Sequence, residues 1–262
     1  MNVVFTGQGS LAQAFRQIEP SVEIRSFRHL SAQEMRAVVE RADVIVHNAA
    51  CVDQALGVTR MLEANFALTQ RIVDLMRVVK RPPRFVNIAS MSFLKTNDDY
   101  ADPLEMSPYA LSKFMAEVYV LRVLENATSV RFSTLYYKDP LKDGLSKIVE
   151  QAVRGRRIRA YNQGQQKRDV IPLKIAARYL KKVIESDSAE TRVNICSGTE
   201  TRMSDLIVMI SEKTGAHIEK VDVEEGPFVL SRFSTRDIDK LGRLDFSLEE
   251  HVIAHIQDLS RP

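Results

Sequence analysis

The chain has 262 residues, 45% of them hydrophobic and 27% charged, with a formal net charge of +3. That is enough chain for one large domain or a domain and a half of ordinary globular composition. The mild, dispersed basicity argues against a nucleic-acid partner and is compatible with small anionic substrates.

From the N-terminus, NVVF (2–5), VEIRSF (22–27), DVIVHNAA (43–50), RFVNIAS (84–90) and SVRFSTLYY (129–137) read as short, nearly continuous apolar strands. Between them, SLAQAFRQI (10–18), AQEMRAVVERA (32–42), MLEANFALTQRIVDLMRVV (61–79) and PYALSKFMAEVYVLRVLEN (108–126) carry helical periodicity. Strand–helix alternation with doubly apolar strands predicts βαβ units and a parallel sheet covered on both faces. The longest loop, KTNDDYADPLEMSP (95–108), is polar and proline-bounded. Beyond residue 140 the pattern changes: a helix near 144–154, the basic run RGRRIR (154–159), a strand-then-helix over RDVIPLKIAARYLKKVIES, and later helices at 203–214 and in FSLEEHVIAHIQDL. The expected organisation is a dinucleotide-binding domain over 1–140 with parts of 168–198, interleaved with a smaller mixed α/β substrate-binding lobe over 141–262.

No apolar run approaches the ~20 residues of a membrane-spanning helix, and MNVVFTGQGS lacks the features of a secretory signal. Cys51 and Cys196 are isolated from one another, as packing thiols of a reduced compartment would be. A cytoplasmic location and no membrane partner are therefore expected.

TGQGSLA places Gly7, Gly9 and Ala12 between the first strand and the first helix. Glycines there let backbone N–H groups approach a pyrophosphate, although the same spacing also serves a plain tight βα turn. At the end of the second strand, where an NAD site usually carries a carboxylate, stand Arg25, Ser26 and Arg28. Guanidinium groups suit a 2′-phosphate, so NADP(H) is the preferred cofactor and NAD(H) the alternative. In SPYALSKFMAE, Tyr109 and Lys113 stand one helical turn apart on one face.

Together TGQGSLA, VIVHNAA, EANFALTQ, NIASMS, SPYALSK, KRDVIPL, NICSGTETRMSDL and DIDKLGRLDFSLEE give the chain a resemblance to the extended short-chain dehydrogenase/reductases, the NAD-dependent epimerase/dehydratase family acting on sugar nucleotides. In size it is most similar to that family's small reductases of nucleotide-linked 4-keto-sugars. The resemblance implies a Rossmann-type doubly wound sheet and an NAD(P)-dependent oxidoreductase working on nucleotide sugars, the building blocks of polysaccharide biosynthesis. It implies Ser90, Tyr109 and Lys113 as catalytic residues, with Ser92 as a further substrate-side hydroxyl. Tyr109 would be the general acid, and Lys113 would bind the nicotinamide ribose and hold the phenol below its usual pKa. The cofactor would be bound by Gly7, Gly9, Ser10, Leu11, Ala12, Arg25, Arg28, Asn48, Ala49, Ala50, Asn65, Tyr109 and Lys113. The substrate would be bound by Tyr136, Arg168 and Arg232. Many relatives are homodimers through four helices, which the apolar faces of 61–79 and 108–126 would suit.

Three departures from the family pattern bear on function. The glycine turn is one residue shorter than G-x-x-G-x-x-G and ends in Ala12. Met91 and Ser92 stand where dehydratases carry Asp-Glu, which argues against 4,6-dehydration. Lys138, Asp139 and Pro140 replace the usual Gly-Pro, so sugar identity does not carry over. Two other readings stay open: an epimerase that retains NAD, and a cofactor-sensing binding protein without catalysis. His251 and His255 are four apart, but no third ligand is evident and no metal is expected. Asp98, Asp99 and Asp102 read as a polar loop rather than a site.

Overall fold

The computed structural model describes residues 1–53, 55–95, 99–186, 190–223 and 229–261. Asp98 of the acidic loop, residue 228 at the edge of the expected ligand-contacting stretch and the terminal Pro262 lie outside the described residues.

The chain forms two compact units, one comprising Met1–Lys95, Asp99–Phe132 and Ala176–Ile195, the other Ser133–Ile175 and the residues from Cys196 onward. In the first unit the elements are β1 (Val3–Phe5), α1 (Ser10–Arg16), β2 (Glu23–Ile24), α2 (Ala32–Arg41), β3 (Val44–His47), α3 (Val58–Leu62), α4 (Leu68–Val78), β4 (Arg84–Ser90), α5 (Pro108–Val123) and β5 (Ala127–Phe132). The chain then runs through β6 (Thr134–Tyr136), α6 (Gly144–Gly155), β7 (Arg157–Tyr161), β8 (Lys167–Arg168), β9 (Val170–Pro172), α7 (Leu173–Glu185) and β10 (Arg192–Ile195). It closes with β11 (Thr201–Arg202), α8 (Met203–Thr214), β12 (His217–Val221), β13 (Val229–Leu230), α9 (Arg236–Lys240) and α10 (Leu248–Ser260).

The first unit is built on a six-stranded parallel sheet in the order β10-β5-β4-β3-β1-β2. The order reverses between β1 and β3, and in doubly wound sheets such a switch point opens a crevice at the carboxyl ends of the strands. The turn after β1 and the loop after β3 both start there. Every residue of β1, β3 and β5 is buried, which is why β1 and β3 are apolar but for His47, whereas β5 also buries Thr128, Ser129 and Arg131. One core cluster joins Val4, Ile45 and Phe85 of the sheet to Val39, Ile72, Met76 and Val120 of α2, α4 and α5.

Helix boundaries follow local chemistry. Ser31 caps α2 by accepting from the Glu34 amide, while the Glu34 carboxylate returns to the Ser31 amide, a complete capping box. Ser107 caps α5 by accepting from the Ala110 amide at 3.2 Å, with Pro108 at the first helical position.

Three expected elements differ in extent. The strand read over 22–27 pairs only at Glu23–Ile24, because the backbone turns into a 3-10 helix at Phe27–His29 to bury Phe27. The helix read over 61–79 is interrupted by a π turn at Glu63–Ala67, centred on a buried Asn65 whose side chain is bound elsewhere. The strand read over 129–137 breaks at Ser133: β5 belongs to the six-stranded sheet, whereas β6 pairs with β9.

In the second unit, β7 pairs with β12, β6 with β9, and β11 and β13 flank β8. Its core packs Val149, Ile158, Met203, Ile207, Ile210, Val252 and Ile256 from α6, β7, α8 and α10.

Candidate active site

The turn after β1 is fitted against β3. A Cβ on Gly7 would stand 2.8 Å from the Ala49 Cα and 3.0 Å from its amide nitrogen, so only glycine fits. The Asn48 side chain fastens the same residue from both sides: its Oδ1 accepts from the Gly7 amide at 2.8 Å and its Nδ2 donates to the Gly7 carbonyl at 3.0 Å. Gly9, the N-cap of α1, is exposed, and a Cβ there would meet only Asn48 Nδ2 at 3.9 Å. The turn is therefore closed toward β3 and open on the Gly9 side, a cradle that fits a dinucleotide pyrophosphate. Leu11 and Ala12 bury their side chains in the core and could offer a ligand only backbone, whereas Ser10 is partly exposed.

Beneath this turn runs a buried polar chain. His47 on β3 lies between Thr6 Oγ1 and Thr69 Oγ1, each 2.8 Å from a ring nitrogen. Thr69 gives its proton to the Asn65 carbonyl, so it accepts from His47 Nε2–H, and Nδ1 accepts from Thr6. This assigns a neutral Nε2–H tautomer. Burial, with Lys113 and Arg28 adding to it, pulls the imidazole down to about 3. Asn65 continues the chain: its Oδ1 accepts from the Cys51 amide at 2.6 Å, and its Nδ2 donates to the Cys51 carbonyl and to Ser112 Oγ, both at 3.0 Å. Ser112 then donates to the carbonyl of Tyr109 at 2.8 Å. Asn65, which the resemblance places among the cofactor-binding residues, pins the loop after β3 to the Tyr109 helix through its side chain.

Ser90 ends β4, and its hydroxyl caps the following 3-10 turn by accepting from the Ser92 amide at 3.0 Å while lying 2.9 Å from Ser92 Oγ. Tyr109, at the second position of α5, is partly exposed, and its hydroxyl interacts with Ser90. One turn on, Lys113 is buried. The structure thus brings Ser90, Ser92, Tyr109 and Lys113 together at the carboxyl end of β4 and the start of α5.

The electrostatics differ from the expectation that Lys113 holds the Tyr109 phenol below its usual value. Burial raises the phenol pKa, and the Ser90 hydroxyl opposes this without overcoming it. Burial also pulls Lys113 down, to about 8, with the Glu117 carboxylate working the other way. Loss of water is the largest influence on both groups, raising the phenol and lowering the amine.

The two arginines after β2 are exposed and already engaged. Arg25 Nε donates to Glu23 Oε1 at 2.6 Å, Arg41 binds the same oxygen, and Arg28 donates to the Ala64 carbonyl at 3.1 Å. Ala50 lies partly exposed in the loop after β3.

The expected substrate residues lie in the second unit. Arg168, on β8, is partly buried, and loss of water lowers its guanidinium pKa. Arg232 is exposed, holds a positive φ of 65° and pairs with Glu200 at 3.2 Å. Lys167 binds the same carboxylate at 2.8 Å, and with the Ser231 hydroxyl these partners hold Glu200 down to about 2. Tyr136 departs from its expected substrate role: it is a core residue whose hydroxyl lies 2.7 Å from His255 Nδ1. The aromatic ring fills the space between β6 and α10, leaving no face for a ligand. That pairing also accounts for His255, while His251 Nδ1 lies 2.9 Å from the Ser247 carbonyl.

Reading the sequence for motifs passed over His47, Glu117 and Arg131. The available signal was composition: a histidine inside the apolar run DVIVHNAA and a carboxylate on the apolar helix of Tyr109.

Comparison with known proteins agrees with this architecture. The chain is similar to MoeE5 solved with UDP-glucuronic acid and NAD, at 20% identity over 98% of each chain and a TM-score of 0.81. It is also similar to DesIV, a dTDP-glucose 4,6-dehydratase from Streptomyces venezuelae solved with NAD and TYD, at 19% identity, covering 98% of this chain and 96% of that one, with a TM-score of 0.82. A UDP-N-acetylglucosamine 4-epimerase from Methanobrevibacter ruminantium matches at 16% identity over 98% and 97% of the chains, with a TM-score of 0.81. No curated protein matches the sequence. The profile of the NAD dependent epimerase/dehydratase family matches residues 3–196, and the chain, with its parallel sheet, its Gly7 turn and its Tyr109–Lys113 helix, belongs to that family of extended short-chain dehydrogenases/reductases.

Proposed function

We propose that the protein is an NAD(P)-dependent oxidoreductase that reduces a nucleotide-activated keto-sugar, with Ser90, Tyr109 and Lys113 as its catalytic residues. The observation that carries this reading is the meeting of Ser90 and Tyr109 above a buried Lys113, in a site whose strand end carries Met91 and Ser92 instead of acid–base carboxylates. The nicotinamide cofactor, when bound, supplies the hydride. Tyr109 gives its proton to the carbonyl oxygen, Ser90 orients that oxygen, and Lys113 holds the ribose and offsets the charge left on the phenol. Arg168 and Arg232 are assigned to the substrate's diphosphate. By the same reading the enzyme works in the cytoplasm as a homodimer through α4 and α5.

NADPH should be consumed with a 4-keto-6-deoxy sugar nucleotide, and Tyr109→Phe should lower kcat by about 100-fold or more while leaving dinucleotide affinity within a few-fold. Turnover by Tyr109→Phe at the wild-type rate refutes the mechanism.

A specific observation favours a second reading, an epimerase that keeps NAD. Glu23 pairs with Arg25 at 2.6 Å, so one of the two guanidinium groups assigned to a 2′-phosphate is already engaged. Stoichiometric NAD released on denaturing the purified protein would favour the epimerase.

A further inference from the structure

The catalytic helix carries a second ionised group that the motif does not include. Glu117 lies on α5 four residues after Lys113, on the same face and one turn further along. It is fully buried, yet every contact it makes is to a donor. Arg131 Nε donates to its Oε2 at 2.9 Å and Ser129 Oγ to the same oxygen at 2.8 Å; Arg131 Nη2 binds Oε1, which Arg192 Nε approaches at 3.4 Å. Arg131 is in turn held between aromatic rings, 5.4 Å from the Phe93 centroid and 5.3 Å from that of Tyr100, and donates to the Tyr100 hydroxyl. Both of its oxygens are thus held by charged or hydroxyl donors in fixed positions. Far more is built around it than an exposed ion pair needs, and one turn back on the same helix face stands the buried Lys113.

We propose that Glu117 is the positioning residue of the Tyr109–Lys113 pair: a carboxylate locked in place by β5 and β10 that keeps the buried Lys113 amine in its ammonium form. The inference rests on Lys113 serving as the catalytic lysine. Of the charged groups on the elements packed against α5, Arg60 of α3, Glu63 of the π turn and Asp74 of α4 are exposed, Asp74 accepting from the Tyr119 hydroxyl. From β3, His47 is neutral and so adds no charge; from α5 itself, Tyr109 stays protonated; Arg28, exposed beside the site, adds a distant positive charge. From β5 and β10, Arg131 and Arg192 are spent on Glu117. Among these groups, Glu117 is the one buried carboxylate set against the cost of burying the Lys113 ammonium.

The test reads Lys113 directly, on protein without substrate, by NMR titration of ε-13C-labelled lysine, with the resonance assigned by its loss in Lys113→Arg. Glu117→Gln should move the Lys113 midpoint down from about 8 by roughly one pH unit, since it removes the opposite charge one helical turn away. Glu117→Asp should restore most of it, and the alkaline limb of kcat/KM should follow the same order. Arg192→Gln, at a half-exposed site, should move the midpoint slightly upward by removing a competing cation. A Lys113 midpoint unchanged in folded Glu117→Gln overturns the proposal. If Glu117→Gln does not fold, the sign for Arg192→Gln decides, an absent or downward shift overturning it. Failure to reduce any keto-sugar would count against the proposed reaction and leave the titration result standing.

Discussion

Gly7 and Gly9 sit two residues apart in one turn, yet the structure gives them opposite jobs, and alanine substitution separates them. At Gly7 a new Cβ would stand 2.8 Å from the Ala49 Cα, about 0.6 Å inside ordinary contact at 3.4 Å, and the obstacle is backbone rather than a movable side chain. The turn must then lift from β3 and strain both Asn48 hydrogen bonds. Overpacking of this kind costs about 1–3 kcal/mol, and at this chain length that corresponds to a fall in Tm of about 3–10 °C. At Gly9 the nearest atom is 3.9 Å away and φ is −65°, so alanine is accommodated. Stability should hold or rise by about 0.5 kcal/mol, because alanine narrows the unfolded ensemble. The Gly9 side is where a pyrophosphate would approach, so a methyl group there should weaken dinucleotide binding at least tenfold. Thermal denaturation and fluorescence titration with NAD(H) and NADP(H) measure the two effects separately. A Gly9→Ala protein less stable than Gly7→Ala, or one binding dinucleotide like wild type, refutes this division of labour.

His47 makes stability depend on pH. Its folded pKa of about 3 lies below the ordinary 6.5, so between those values the unfolded chain binds a proton that the folded chain does not. Stability should fall as pH falls through this window by up to about 1.4 kcal/mol per unit, and His47→Gln should flatten that slope in urea titrations at pH 4–7. Glu23→Gln should release Arg25 and remove a negative charge from the end of β2. NADP(H) should then bind several-fold tighter with NAD(H) little changed, and equal tightening of both would show that Arg25 does not face the 2′-phosphate.

What the sequence made legible was whatever follows from short-range pattern. The parallel sheet could be read from doubly apolar strands because burial on both faces removes alternation, and α5 from Ser107 and Pro108 because capping is a local event. The departures arise where a tertiary contact overrules the local pattern. Phe27 curtails β2 by turning inward, and Asn65 opens α4 into a π turn because its amide is needed between Cys51 and Ser112. Ser133 divides an apolar run that no periodicity could divide. In the site, Tyr109 and Lys113 announce themselves by spacing, whereas Glu117 and His47 do not. Their meaning lies in partners 12 and 22 residues away or more, and a lone buried polar residue in a sequence does not name its partner.

The protonation state of Tyr109 connects the fold to the direction of the reaction. A phenol that must take a proton from a sugar hydroxyl has to be ionised first, and the closer its pKa lies to ambient pH the larger that fraction is. A phenol that must give a proton to a developing alkoxide has to arrive protonated. In this fold burial raises the Tyr109 pKa, while Lys113, pulled down toward 8, is close to sharing its own proton. The resting site is therefore loaded as an acid: the hydroxyl proton is in place, Ser90 is beside it, and the ammonium group waits one turn away to offset the phenolate once the proton has left. On the proposed reductase reading, that loading suits Tyr109 to donate a proton at neutral pH. The reaction rate should accordingly fall as pH rises through the Lys113 midpoint, because the phenolate left behind then loses its counter-charge. A reductive kcat that climbed across the same range would refute the role of Lys113 as the counter-charge to the phenolate.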